Sequence, residues 1–145
     1  MILKDAITLE VHLPTTPEMT WDLLTAPAHL EAWFGSHVRL DARLGGEFRE
    51  TWSQAGRKIV TQGRVTDFRP PTAIAWTWAD EDWSQTTLLT FTIRPGEASV
   101  VQLNHSGWSK FDASLGEQLR AAHEAGWRGH LESLKRYAAE RVRSD

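Results

Sequence analysis

The chain has 145 residues, 41% of them hydrophobic and 24% charged, with a formal net charge of −3. That length and balance fit one globular domain over residues 1–145 with a single substantial core, and they exclude a disordered chain. Lys and Arg form no block beyond the sparse Arg136, Arg141 and Arg143, which speaks against nucleic acid, and the absence of cysteine excludes disulfides, thiolate catalysis and Cys-ligated zinc.

DAITLEVHL alternates Ile7, Leu9, Val11 and Leu13 with Thr8, Glu10 and His12, the period of a half-buried strand, and Pro14 ends it. With this alternation nothing near the N-terminus resembles a signal peptide, so none is expected, and no run approaches bilayer-spanning length. A cytoplasmic domain without membrane insertion is the expectation. In TTPEMTWDLLT, Thr16 can cap a helix, Pro17 suits its first position and Glu18 favours its N-terminus. Pro27 breaks that helix and starts a second short one, AHLEAWF, which stops at Gly35.

From Ser36 to Trp108 the pattern changes to strands. GGEFRETW, RKIVTQGRVTDF, AIAWTWAD, QTTLLTFTIR and SVVQLNHSGW are separated by SQAG, RPPT, EDWS and PGEA, turn chemistry at hairpin spacing. The links are too short for parallel crossovers, so an antiparallel meander of about five or six strands is expected. Ile74, Trp76 and Trp78 share one face, as do Leu89, Phe91 and Ile93, and Val101, Leu103 and His105. Phe48, Glu50 and Trp52 share a phase that would turn the Glu50 carboxylate inward. The phase of residues 58–68 is open, because Ile59 and Val65 oppose Val60 and Phe68; a bulge would resolve it. ADEDW, residues 79–83, reads as a solvated hairpin, with Trp83 a candidate for an exposed contact surface.

Residues 114–142 read as one long helix, with Ser114 or Asp112 as cap and Glu117 placed for a capping box on Ser114. Glu124–Arg128, Glu132–Arg136 and Glu117–Arg120 describe its solvated face. Leu115, Leu119, Trp127, Leu131, Leu134, Tyr137 and Ala138 fall in one arc, with His123 and His130 near its middle. Gly126 and Gly129 lie on or beside that face, each costing about 1 kcal/mol against alanine, so either something approaches the backbone or space is left open. A one-faced sheet needs a cover, and only this helix is long enough to be one.

Four stretches carry a family resemblance: PEMTWDLLTAPAHLEAWF, LGGEFRE, GRVTDFRPPTAIAWTW, and HEAGW followed by LESLKRY. Together they span almost the whole chain. They resemble the domain named after the activator of the heat-shock-90 ATPase, within the START-like or SRPBCC superfamily shared with the major birch pollen allergen. The resemblance implies an α+β helix-grip fold: a twisted antiparallel sheet wrapped around a long C-terminal helix, two short helices after the first strand, and an internal cavity. Its members include carriers of apolar molecules and polyketide cyclases or aromatases, so fold alone does not settle activity. Nothing before Ile7 could be the separate chaperone-binding domain of the eukaryotic co-chaperone.

Eight tryptophans are many for a core of this size, and they read either as a core built from large residues or as an aromatic-lined pocket. The expected ligand is a hydrophobic or aromatic small molecule, walled by Trp33, Phe34, Trp76, Trp78 and Trp127, with Glu50, His105 and His123 as polar handles. An enzyme using the same cavity and a chaperone-activator-like interaction module are the alternatives. His123 and His130 stand about 10 Å apart along a helix, too far to share one ion, so no metal and no cofactor is expected. Neither G-x-S-x-G nor a phosphate-binding loop occurs. A homodimer through an exposed sheet edge or aromatic patch is compatible with the sequence, though nothing in it calls for one.

Overall fold

A computed structural model of the chain describes residues 4–143. Strand β1 (Ala6–Leu13) is followed by helices α1 (Pro17–Thr25) and α2 (Pro27–Trp33). Strands β2 (Val38–Leu40), β3 (Glu47–Gln54), β4 (Arg57–Arg69), β5 (Ala73–Asp80), β6 (Thr87–Pro95) and β7 (Ser99–Ser106) come next. A single 3-10 turn at Trp108–Lys110 leads into helix α3 (Ala113–Arg143). The strands form one antiparallel sheet of seven in the order β1-β7-β6-β5-β4-β3-β2. The meander therefore runs in sequence order, and β1 closes on the last strand. This is the expected α+β helix-grip architecture.

Local chemistry sets the element ends. Thr16 Oγ1 accepts from the Met19 N–H at 3.1 Å, and prolines open both short helices. The β3–β4 hairpin turns through Ala55 and Gly56, both with positive φ (52° and 78°), the primed turn whose twist matches the flanking strands. Helix α3 begins at Ala113, so of the two candidate caps Asp112, not Ser114, holds the cap position. The Gly116 N–H bonds to the Asp112 carbonyl, so Ser114 lies inside the first turn. Glu117 engages the Arg120 guanidinium at 2.6 Å instead of serving a capping box on Ser114.

The open phase of residues 58–68 is resolved by a bulge. The β4–β5 register shifts between Val65 and Asp67, which leaves Thr66 unpaired. Ile59, Thr61 and Val65 therefore share the inner face before it, and Phe68 returns to that face opposite Ile74 after it. The inner faces of β5, β6 and β7 are those expected: Ile74, Trp76, Trp78, Leu89, Phe91, Ile93, Val101, Leu103 and His105 are all buried.

The long helix closes one half of the sheet and stands off from the other. Trp127, Leu131, Leu134 and Ala138 are buried, and this part of α3 packs against β1 and α2. Towards its N-terminus, Leu119 is only half-buried and Leu115 is 45% exposed. Leu115, although on the inward arc, lines a cavity under this half of the helix. Gly126 and Gly129 answer the question their cost raises, since a Cβ at either would have nothing within 4 Å. Gly129→Ala should stabilise the fold by about 1 kcal/mol, read as a higher thermal midpoint. A lower midpoint would mean that an unseen contact needs the glycine.

Candidate functional site

The space under the N-terminal half of α3 is a cavity of about 780 Å³, open to solvent past Leu115, Ala122 and Gly126. Its sheet wall follows from strand register. Phe48 stands opposite Gly63, and Glu50 opposite Thr61, which in turn stands opposite Asp80. Trp52 stands opposite Ile59. Three tiers result. Deepest, Phe48 reaches across the bare Gly63 and stacks on Trp78, with centroids 5.1 Å apart at 23°. The middle tier is a polar row, Glu50–Thr61–Asp80. Trp52 and Ile59 form the rim, with Asp82 and Trp83 from the β5–β6 turn.

Hydrogen bonds fix this row. Thr61 donates to Asp80 Oδ1 at 2.5 Å and accepts from the Trp52 indole N–H at 3.0 Å. Glu50 Oε2 pairs with His37 Nε2 at 2.7 Å. Burial pushes the Glu50 carboxyl above its usual range, offset by the His37 bond and reinforced by Asp80. Asp80 is also pushed up, chiefly by burial, with the Thr61 bond opposing and Asp82 and Glu81 adding to the rise. Each carboxylate is costly to keep charged here.

The helix contributes imidazoles. His123 Nδ1 donates to the Leu119 carbonyl at 2.8 Å, so the neutral ring keeps its lone pair on Nε2. Burial lowers its proton affinity, and the ring lies among Trp78, Trp83 and Trp108. His130, against Phe34 and Trp127, is lowered by burial and then by His37.

Of the residues expected at the site, Glu50, Trp78, His123 and Trp127 are brought together on this cavity. Trp33, Phe34, Trp76 and His105 lie behind its wall, in the packed core. Trp33 donates its indole N–H to the Leu23 carbonyl at 2.7 Å, and Phe34 wedges between Trp33, Phe48 and Trp127. Trp76 stacks on Phe48 and is 1% exposed.

His105 is fully buried and fully bonded. Its Nδ1 accepts from the Trp127 indole N–H at 3.0 Å, which leaves the proton on Nε2 to be donated to Thr87 Oγ1 at 2.7 Å. The Thr87 hydroxyl then donates to the Trp78 carbonyl at 2.8 Å. One imidazole thus ties α3, β7, β6 and β5 behind the cavity. Burial, then the neighbouring His123, hold its pKa well below the ordinary value.

Trp52, Thr61, Asp80, Trp83 and His130 also line the cavity and are not among the expected ligand-binding residues. Trp52 and His130 carried a signal, in the shared phase with Glu50 and in the helix arc. Thr61 and Asp80 carried none, because only register brings them beside Glu50. The solvated reading of ADEDW is corrected at two positions. Asp80 is half-buried on the cavity face, and Trp83 packs edge-on against Trp108, Phe111 and His123. Two buried indole N–H groups, Trp76 Nε1 and Trp78 Nε1, find no hydrogen-bond partner. Among the described residues no group of three or more His, Asp or Glu is placed to hold a metal ion, and no helix is long and apolar enough to cross a membrane.

Known proteins of the same shape are numerous. Protein MLL2253 of Mesorhizobium loti is 22% identical, with a TM-score of 0.76 over 94% of this chain and 97% of its own. CalU16 of Micromonospora echinospora is 19% identical, with a TM-score of 0.71 over 95% of this chain and 79% of its own. The Aha1 dimer of Colwellia psychrerythraea is 20% identical, with a TM-score of 0.72 over 90% of this chain and 92% of its own. No curated protein matches the sequence. At these identities the likeness establishes the fold. The sequence itself goes further: residues 14–139 match the family model described as activator of Hsp90 ATPase homolog 1-like protein, and the chain belongs to that family.

Proposed function

We propose that the protein binds an apolar or aromatic small molecule in the cavity between β3–β5 and the N-terminal half of α3. The observation that carries this reading is the cavity, about 780 Å³ in volume and walled by Trp52, Trp78, Trp83 and Trp127. That volume lies in the range of sites for drug-sized molecules, and the mix of apolar walls with a few fixed polar groups is what such sites show.

Native mass spectrometry of freshly purified protein, with denaturing extraction of whatever travels with it, tests the reading. A bound apolar molecule is expected, and it should be lost in Gly126→Leu. A Cβ at Gly126 meets no atom, so the longer side chain can enter the cavity without disturbing the core. If Gly126→Leu holds the molecule as firmly as the parent, the ligand sits elsewhere.

His123 favours a second reading, an enzyme acting on the bound molecule. It presents a neutral imidazole with a free Nε2 to a cavity that also holds carboxyls of raised pKa, a base and acids in one site. His123→Ala distinguishes the two. An enzyme would retain the ligand and lose turnover, whereas a carrier would show no chemical change of its ligand in either protein.

A further inference from the structure

The charge of the cavity narrows the ligand. We propose that the molecule bound there is a cation, an apolar or aromatic body carrying a protonated amine; this rests on the cavity being the binding site. Glu50, Asp80 and Asp82 all line the cavity, and none of its lining residues is Lys or Arg. Among the described residues no Lys or Arg forms an ion pair with any of the three. Glu50 has His37 on its outer side, and Asp80 has only the Thr61 hydroxyl. The lining imidazoles do not compensate, since burial holds both His123 and His130 below their ordinary proton affinity.

An anionic ligand, such as a fatty acid, would bring a further negative charge into a half-buried acidic site with no cation to receive it. A protonated amine would do the reverse. Placed against the Glu50–Thr61–Asp80 row, it gives both carboxylates the counter-charge that the protein withholds. Trp52 and Trp78, which line the cavity on either side of the row, would add cation–π attraction where a ring face meets the amine.

Three probes that share one naphthalene body separate the possibilities: naphthylmethylamine, naphthylmethanol and naphthoic acid, titrated by calorimetry at neutral pH. The amine should bind about tenfold more tightly than the alcohol, and the carboxylate most weakly. In Glu50→Gln and Asp80→Asn, alone and together, the amine-to-alcohol ratio should fall towards one. Both changes remove charges that are costly to bury, so folding is not at risk, and circular dichroism checks this. Equal or tighter binding of naphthoate, or an amine preference that survives the double substitution, overturns the proposal and leaves the cavity reading standing. If none of the three binds, the cavity reading fails and the proposal falls with it.

Discussion

Gly63→Ala should destabilise the protein by about 3 kcal/mol or more, at or beyond the usual range for an overpacked site. A Cβ at this position would lie 1.6 Å from the Thr77 carbonyl oxygen and 2.6 Å from its carbon, both backbone atoms of the adjacent strand. Neither can swing aside as a side-chain end could. The Arg64 N–H already bonds to the Thr77 hydroxyl at 2.9 Å, which holds the strands together at this point. The position matters for the site as well as the fold. Phe48 on β3 stacks on both Trp76 and Trp78 of β5, with centroids 5.2 and 5.1 Å away, although β4 runs between them. Only a residue without a side chain opposite Phe48 lets its ring cross. A methyl group there would push the strands apart and lift the aromatic floor of the cavity. Urea denaturation measures the effect, and Gly126→Ala, where a Cβ meets nothing, is the matched control. An unchanged midpoint in Gly63→Ala would show that β4 and β5 are not in this close contact.

Much of the architecture is legible in single-strand and single-helix periods. The alternation of Ile7, Leu9, Val11 and Leu13 marks β1, and the common phases of Ile74–Trp76–Trp78 and Val101–Leu103–His105 name the inner face correctly. What periods cannot give is which tiers on neighbouring strands meet. The Glu50–Thr61–Asp80 row depends on two registers, and the β4 register passes a bulge at Thr66 that no residue type announces. Nor can a phase give depth. Trp76 and Trp78 point the same way, only two residues apart, yet Trp78 lines the cavity and Trp76 lies in solid core. The difference arises because α3 leaves the sheet along its length, a property of how the helix docks and not of its hydrophobic arc. The same cause exposes Leu115 and turns His105 from a candidate ligand handle into a tie between elements.

That tie leads to the other large effect, at His105. His105→Ala should cost about 3 kcal/mol or more, because it opens a void among Trp78, Trp108 and His123 and strips the Trp127 N–H of its acceptor. The pH dependence of stability separates this residue from a merely bulky core group. In the unfolded chain its imidazole takes up a proton as pH falls through about 6.5, whereas in the folded protein burial keeps it neutral to well below that value. The unfolded state therefore binds more protons in this window. Folding stability is unaffected by the group above about pH 6.5 and declines as pH falls below it. His123 and His130, lowered in the same direction, steepen the decline. Glu50 and Asp80, raised by burial, act oppositely: the folded state takes up their protons first, which offsets part of the loss once pH reaches their range. The parent protein should thus lose stability from pH 7 towards pH 5, and His105→Ala, although less stable throughout, should show a slope shallower by as much as about 1.4 kcal/mol per pH unit. Urea midpoints measured across that range give both quantities together. Parallel curves for the two proteins would mean that His105 takes up its proton as readily in the fold as in the unfolded chain, and below that range the Trp127 N–H would have to be bonded in some other way.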